Sequence, residues 1–323
     1  SVTGSGTATR TITLDNLTGS GTLAVSIASA TANDFAGNSA PTASASDNIT
    51  VDNTAPSGLA LTVAGDDAYA TAQAVSLTLS GSDNHSVTGY FLSESSTTPS
   101  LDNFTSVTAT DNYSASLGFT LSSGDGAKTV YGWLRDTAGN IGGSASDNIS
   151  LDTTAPTVSV GSPSDNHSNS GPVSYTVSYT GADNVTLVAD NVTVTATGTA
   201  AAGSKSVTGS GTATRTITLD NLTGDGTLKV TIPAGTAFDN ASNTAPGAGP
   251  STAFTVDNTL TVSLGSPSDN NTKAGPVTLT VTYTGADNVT LVGDNVTVST
   301  TGTAAAGSKS VSGTGTESRT ITL

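Results

Sequence analysis

Apolar and polar residues alternate along most of this chain with a period of two. Val173–Tyr179 reads VSYTVSY, Val192–Thr197 VTVTAT, Thr214–Leu219 TRTITL, Thr227–Ile232 TLKVTI and Val277–Tyr283 VTLTVTY. Val, Ile, Leu or Tyr holds one set of alternate positions, and Thr or Ser most of the other. Successive side chains of a strand point to opposite faces, so the pattern predicts half-buried antiparallel strands. Turn clusters such as GSPSDN, TGADN, TGDG and SSGDG separate them. No segment carries a helical period. Residues 155–259 hold about seven predicted strands, near Thr157, Val173, Val185, Val192, Thr214, Thr227 and Phe254. Seven short strands in about a hundred residues predict a two-sheet sandwich. Residues 55–154 differ, with strands near Val75–Leu79, Thr88–Leu92, Ala115–Leu121 and Thr129–Leu134. The alternation puts Val192, Val194, Ile217, Leu219, Val230, Ile232, Tyr131 and Trp133 in the cores. It turns Thr193, Thr195, Thr216 and Thr218 to water, because a one-residue slip would invert a strand.

The chain repeats itself. Ser1–Thr54 aligns without a gap on Ser206–Thr259, and the first nineteen residues are identical. Ser310–Leu323 is a third, slightly altered copy of the opening. Thr157–Leu219 matches Thr261–Leu323 at an offset of 104. A marker, VDNTAP, LDTTAP or VDNT, recurs at Val51, Leu151 and Val256, at intervals of 100 and 105 residues. Each interval suits one small domain. The predicted modules are 55–154, of one type, and 155–259, of another. Residues 1–54 read as the back part of a module and 260–323 as the front part, so the chain looks like an excerpt of a longer polypeptide. Repeats on this scale mark arrays that span, display or assemble.

Composition narrows the partners. The formal charge is −16, where a nucleic-acid binder needs a basic stripe. The acid is 23 Asp against 2 Glu, a bias toward turns and caps and away from helices. Cysteine is absent, which excludes disulfides and thiolate metal sites. No apolar run is long enough to span a membrane as a helix.

The segments VDNTAPSGLALTV, SLTLSGSDN, TGYFLSESSTTPS, LSSGDGAKTVYGWLRDTAGNIGGSASDNISLDTTAPTVSV and GPVSYTVSYTGADNVTLVADNVTV resemble the tandem Ig-like repeats of giant bacterial surface proteins, in particular the repeat regions of biofilm-associated adhesins. The resemblance covers essentially the whole chain. It implies Ig-like antiparallel β-sandwich modules arranged end to end, an all-β fold, an extracellular location at the cell surface, and a structural or adhesive role.

One motif is not dictated by the modules. Fourteen asparagines sit in N-x-[ST] triplets: Asn16, Asn48, Asn84, Asn103, Asn112, Asn148, Asn166, Asn184, Asn191, Asn221, Asn240, Asn270, Asn288 and Asn295. Asp precedes every one, although only 23 of 323 residues are Asp. The sites fall at varied points of the repeat; Asn240 stands where the first copy has Phe35. In an exposed strand such as DNVTV the alternation would aim the Asp inward, where a carboxylate is costly. N-glycosylation by a transferase that reads D-N-x-[ST] is the favoured expectation. Asx turns and calcium are the alternatives. Asn33, Asn38, Asn53, Asn140, Asn169, Asn243, Asn258 and Asn271 lack the motif and are expected bare.

A second recurrent loop reads Asp34-Phe-Ala-Gly-Asn38, Asp136-Thr-Ala-Gly-Asn140 and Asp239-Asn-Ala-Ser-Asn243. An Asx turn is the main reading. A calcium ion at a module junction, held by Asp136 and Asn140 with Asp152, or by the equivalent later loop with Asp257, is the other, with Asp66 and Asp67 a weaker candidate. No cofactor besides possible calcium is expected. Catalysis finds no footing: His85 and His167 lie inside D-N-H-S and have no nucleophile pattern nearby. Three functions follow. The first is a glycan-coated fibre, filament or matrix protein whose partners are copies of itself or neighbouring modules. The second is a calcium-stiffened stalk presenting a distal binding domain. The third is an accessory array of a secreted polysaccharide-active enzyme.

Overall fold

The computed structural model describes residues 1–6 and 9–323. The described residues form strands and four three-residue 3-10 turns, with no α-helix. They make two compact units, residues 1–154 with 240–243, and residues 155–239 with 244–323.

In the first unit, Ser1–Thr54 holds four short strands, β1 (Val2–Thr3), β2 (Thr11–Ile12), β3 (Gly21–Leu23) and β4 (Ile49–Val51). β1 pairs only with β2 and β3 only with β4, both antiparallel. No described residue of this segment is fully buried.

Residues 55–154 hold β5 (Ser57–Val63), β6 (Tyr69–Ala70), β7 (Ala74–Ser93), β8 (Thr105–Thr120), β9 (Gly126–Asp136) and β10 (Ala145–Leu151). The sequence predicts a break at Asp83–Ser86. Instead β7 continues through it as one 20-residue strand, with a register shift between Ser82 and Val87 and Ser86 at φ 68°. Before the shift β7 pairs with β5, and after it with β9; β8 follows both halves. The irregularity turns a corner, so one strand serves two layers. Leu77, Leu79, Val87, Val130 and Leu134 form the core between them. Trp133 is buried in aromatic contact with Phe91 and Tyr131, at ring-centroid distances of 5.9 and 6.0 Å; Tyr131 itself is half-buried.

In the second unit, residues 155–259 hold β11 (Thr157–Pro163), β12 (His167–Ser168), β13 (Val173–Thr180), β14 (Asn184–Val185), β15 (Thr193–Ala196), β16 (Ala201–Thr208), β17 (Thr214–Thr223), β18 (Gly226–Thr231), β19 (Ala237–Phe238) and β20 (Phe254–Val256). Two four-stranded sheets, β11-β13-β17-β16 and β12-β20-β18-β15, enclose the core, and β14 pairs with β19. Val173, Tyr175, Val177 and Tyr179 of β13 meet Leu228, Val230 and Phe254 of the other sheet. The buried tyrosines keep hydroxyl partners: Tyr175 donates to Thr252 O at 3.1 Å, and Tyr179 lies 3.3 Å from Thr236 Oγ1. The alternation holds for Val192, Ile217, Leu219, Val230 and Ile232, all buried, whereas Val194 is half-buried. Thr193 and Thr195 are exposed; Thr216 and Thr218 are half-buried between neighbouring strands. β16 is absent from the predicted set. It is a sheet edge reading AAGSKSVT, with too few apolar residues to show a period.

Residues 260–323 hold β21 (Thr261–Leu264), β22 (Thr278–Thr284), β23 (Ser310–Ser312) and β24 (Ser318–Thr322), in the order β21-β22-β24-β23. This is the β11-β13-β17-β16 sheet again, without a second sheet over it.

Candidate functional site: carboxylates at the linkers

The linkers are held by side chains from the modules they leave. In residues 55–154 the turn between β8 and β9 carries Asp125 between Gly124 (φ 90°) and Gly126 (φ 124°). These left-handed positions suit glycine and aim the Asp at the linker. Asp125 Oδ1 accepts from Thr153 N (2.9 Å) and Thr153 Oγ1 (2.8 Å), and Oδ2 from Thr154 Oγ1 (2.5 Å). In residues 155–259, Asp225 Oδ1 accepts from Asn258 N (2.7 Å) and Oδ2 from Thr259 Oγ1 (2.5 Å). Asn258 Nδ2 donates to Gly224 O at 2.9 Å. In the first copy Ser20 replaces the Asp: its Oγ accepts from Asn53 N (3.1 Å) and lies 2.8 Å from Thr54 Oγ1, while Asn53 Nδ2 donates to Gly19 O (2.7 Å). Hydrogen bonds, first from Thr154 Oγ1 and then from Thr153, hold Asp125 below its ordinary pKa. The Thr259 hydroxyl does the same for Asp225. In the sequence TGDG and SSGDG read as turn clusters between strands, with no role at the linker. The usable signal was an Asp in the turn of both complete modules, always followed by a linker with Thr.

Linker residue Asp52 also reaches into the module it enters. Its Oδ1 accepts from Thr54 N (3.0 Å) and Ser20 Oγ (3.3 Å). Its carboxylate gathers with those of Asp83 and Asp136, one oxygen from each lying within 4.8 Å of the others. Asp83 comes from the corner of β7 and Asp136 from the end of β9. The pairing of Val87 with Asp136 sets the two side by side. Asp83 is 7% exposed, Asp136 2%, and the Asp52 side chain 3%. Asp83 Oδ1 accepts from His85 N at 2.7 Å, but Asp83 Oδ2 and Asp52 Oδ2 are buried without a hydrogen-bond partner. His85 Nδ1 stands 3.6 Å from Asp52 Oδ2 and 2.6 Å from Asn84 Nδ2. Among the described residues no Lys or Arg pairs with the group.

Asn140 closes the loop behind Asp136. Its N donates to Asp136 Oδ1 (2.8 Å), and its Nδ2 donates to Asp136 Oδ2 (2.7 Å) and Asp52 O (3.1 Å). At Asp34 the equivalent bonds from Asn38 N and Nδ2 are 2.9 and 2.8 Å, and Ala36 N adds the Asx-turn bond two residues on at 2.9 Å; together they lower the carboxyl's pKa, chiefly through the Asn38 side chain. Of the residues expected together, Asp136 and Asn140 do meet, but with Asp52. Asp152 follows β10, which runs antiparallel to β9, so Asp152 lies past the opposite end of that hairpin from Asp136. Its Oδ1 accepts from Thr154 N at 3.2 Å. Asp66 and Asp67 are exposed beside the turn Ala64–Asp66.

Two carboxylate oxygens without a hydrogen-bond donor in a group of three with buried side chains suit a hard cation that takes oxygen ligands. Asp52, Asp83 and Asp136 would hold calcium, which would supply charge neutralisation and a cross-link between linker and module.

Thirteen of the fourteen D-N-x-[ST] asparagines are exposed and Asn191 is half-buried. At several sites the fold does employ the Asp, contrary to the sequence reading. Asp147 Oδ2 accepts from Val63 N at 2.7 Å. Asp83, Asp165 and Asp269 close Asx turns onto the N–H two residues on, at 2.7, 3.1 and 2.9 Å. Asp111 accepts from Ser86 Oγ at 2.7 Å. Asn103, Asn191 and Asn295 accept the N–H of Ser100, Val188 and Val292 through Oδ1, the amide atom a glycan does not use.

No protein-family model matches the chain, and no curated protein matches it. A solved structure of a tetra-tandem repeat in the extending region of a large adhesion protein is similar, at 26% identity and a TM-score of 0.27. The match covers 82% of this chain and 64% of that one. No helix among the described residues is long and apolar enough to cross a membrane.

Proposed function

We propose that this chain is a structural repeat region of an extracellular bacterial surface protein, a stalk or fibre segment of tandem Ig-like modules. The observation that carries the reading is the grip on the linkers. Ser20, Asp125 and Asp225, at equivalent turns, each hold the linker that follows. A linker fixed by several hydrogen bonds per module transmits orientation from module to module, as a free Gly/Ser tether does not. Calcium at Asp52, Asp83 and Asp136 makes it a calcium-stiffened stalk, since it would tie the linker to the module ahead as well. The exposed D-N-x-[ST] asparagines carry covalent glycan on the same reading, which would shield sheet edges from lateral pairing. Small-angle scattering tests the role. A compact globule of this length has a radius of gyration of about 20 Å. The proposal expects a value well above that, rising further with calcium; a value near 20 Å in both conditions contradicts it.

A further inference from the structure

We infer that a cleft beside the linker 52–56 seats a glycan carried by Asn112, and that Asn84, across the same cleft, stays bare because the fold commits its motif elsewhere. The inference rests on the glycosylation reading above and narrows it. The cleft holds about 460 Å³, within the range of small-ligand sites. Thr54 and Ser57 line it on the linker side, and Ser82, Asn84, Asp111 and Asn112 on the β7–β8 side. The register that sets Ser82 opposite Asn112 brings two D-N-x-S motifs, Asp83–Ser86 and Asp111–Ser114, to one place.

The two motifs are in opposite states. A transferase needs the asparagine amide and the hydroxyl two residues on, presented together. Asn112 and Ser114 lie in β8, where residues two apart share a face, and both are exposed, as is Asp111 before them. Among the described residues neither Asn112 Nδ2 nor Ser114 Oγ is hydrogen-bonded; Thr110 Oγ1 serves only the main chain of Asn112, donating to its O at 3.0 Å. At Asn84 each of these groups is taken. Asn84 Nδ2 lies 2.6 Å from His85 Nδ1, and Ser86 Oγ donates to Asp111 Oδ1 at 2.7 Å. Ser86 has a φ of 68°, so the segment is not extended. Asp83 is buried, closes an Asx turn onto His85 N, and belongs to the carboxylate group with Asp52 and Asp136. Modification joins Asn112 Nδ2 to the anomeric carbon of a phosphate-activated sugar. The carbon–oxygen bond to the phosphate breaks, the phosphate leaves with the electron pair, and the amide gives up one proton. A sugar tethered at Asn112 has a high effective concentration in the cleft, so a few contacts hold it. The hydroxyls of Thr54 and Ser57 and the Asp111 carboxylate are partners for its hydroxyl groups. Seated there, it ties the linker to β8.

Peptide mass spectrometry of the full chain from its native source tests the choice of site, and hydrogen exchange tests the seat. Added mass is expected on Asn112 and none on Asn84. The amides of Thr54 and Ala55 should exchange about tenfold more slowly in the native glycoprotein than in Asn112→Gln from the same source. A synthetic peptide of residues 82–88 should accept sugar at Asn84 from the same transferase, since the fold and not the sequence withholds that site. Added mass on Asn84 in the native chain overturns the inference and leaves the glycosylation reading standing. So does Asn112 found bare while other D-N-x-[ST] sites are modified, a peptide that stays bare, or equal exchange in the native protein and Asn112→Gln. All fourteen sites bare overturns the inference and the glycosylation reading together.

Discussion

Asp83→Asn should change sign in its effect on stability according to whether calcium is present. The substitution keeps the side chain's shape and leaves an oxygen to accept from His85 N. It removes one of three charges lying within 4.8 Å of one another. At an effective dielectric constant of about 20, two unit charges that far apart repel by about 3.5 kcal/mol. Asp83 faces two such neighbours, a gross repulsion of about 7 kcal/mol before solvent screening relieves much of it. In chelator, Asp83→Asn should therefore melt above wild type. With calcium at a hundredfold excess over its Kd, wild type should gain about 2.7 kcal/mol. That corresponds to roughly 10–20 °C in the Tm of a hundred-residue module. The variant should gain far less, so the order of melting reverses. Scanning calorimetry of both proteins in chelator and in calcium reads all four values. A wild-type Tm indifferent to calcium, or an equal calcium response in Asp83→Asn, would refute the assignment.

Three further outcomes are expected. Ile217→Ala should cost about 2–5 kcal/mol by denaturant unfolding, whereas Ile12→Ala, the same position of the repeat left exposed, should stay under about 1 kcal/mol; equal costs would mean the two copies share a buried environment. The folded pKa values of Asp125 and Asp225 lie below 3.8, so the linker bonds stabilise fully above that value and are lost as pH falls below it. An NMR titration giving either carboxyl a midpoint at or above 3.8 would contradict this. Peptide mass spectrometry of native material should find added mass on the D-N-x-[ST] asparagines other than Asn84 and none on Asn33, Asn38 or Asn271; unmodified peptides at most of the fourteen sites would return those Asp residues to turn duty alone.

Much of the fold is legible in the sequence because a half-buried sheet writes its two faces into alternate residues. β13, β17 and β18 carry that signal at full strength. β16 does not, since an edge strand has little apolar surface to alternate. β7 hides its corner differently: Asp83–Ser86 has turn composition, and only tertiary pairing on both sides keeps the strand continuous. The site is less legible. The D-x-A-G-N loop marks Asp136 and Asn140, and linker composition marks Asp52 and Asp152 equally. The choice of Asp52 is set by hairpin direction, since β10 runs away from the end of β9, and spacing along the chain does not encode that. Asp83 was visible only as part of D-N-H-S, and its carboxylate role depends on the β7–β9 pairing.

Single-molecule extension of the chain tests the spacer role most directly. Modules of 100 and 105 residues that carry tension independently should each release one contour-length step of about 360 Å less the folded span, and calcium should raise the force for residues 55–154. A smooth, featureless extension, or unfolding forces that calcium leaves unchanged, would contradict a calcium-stiffened stalk.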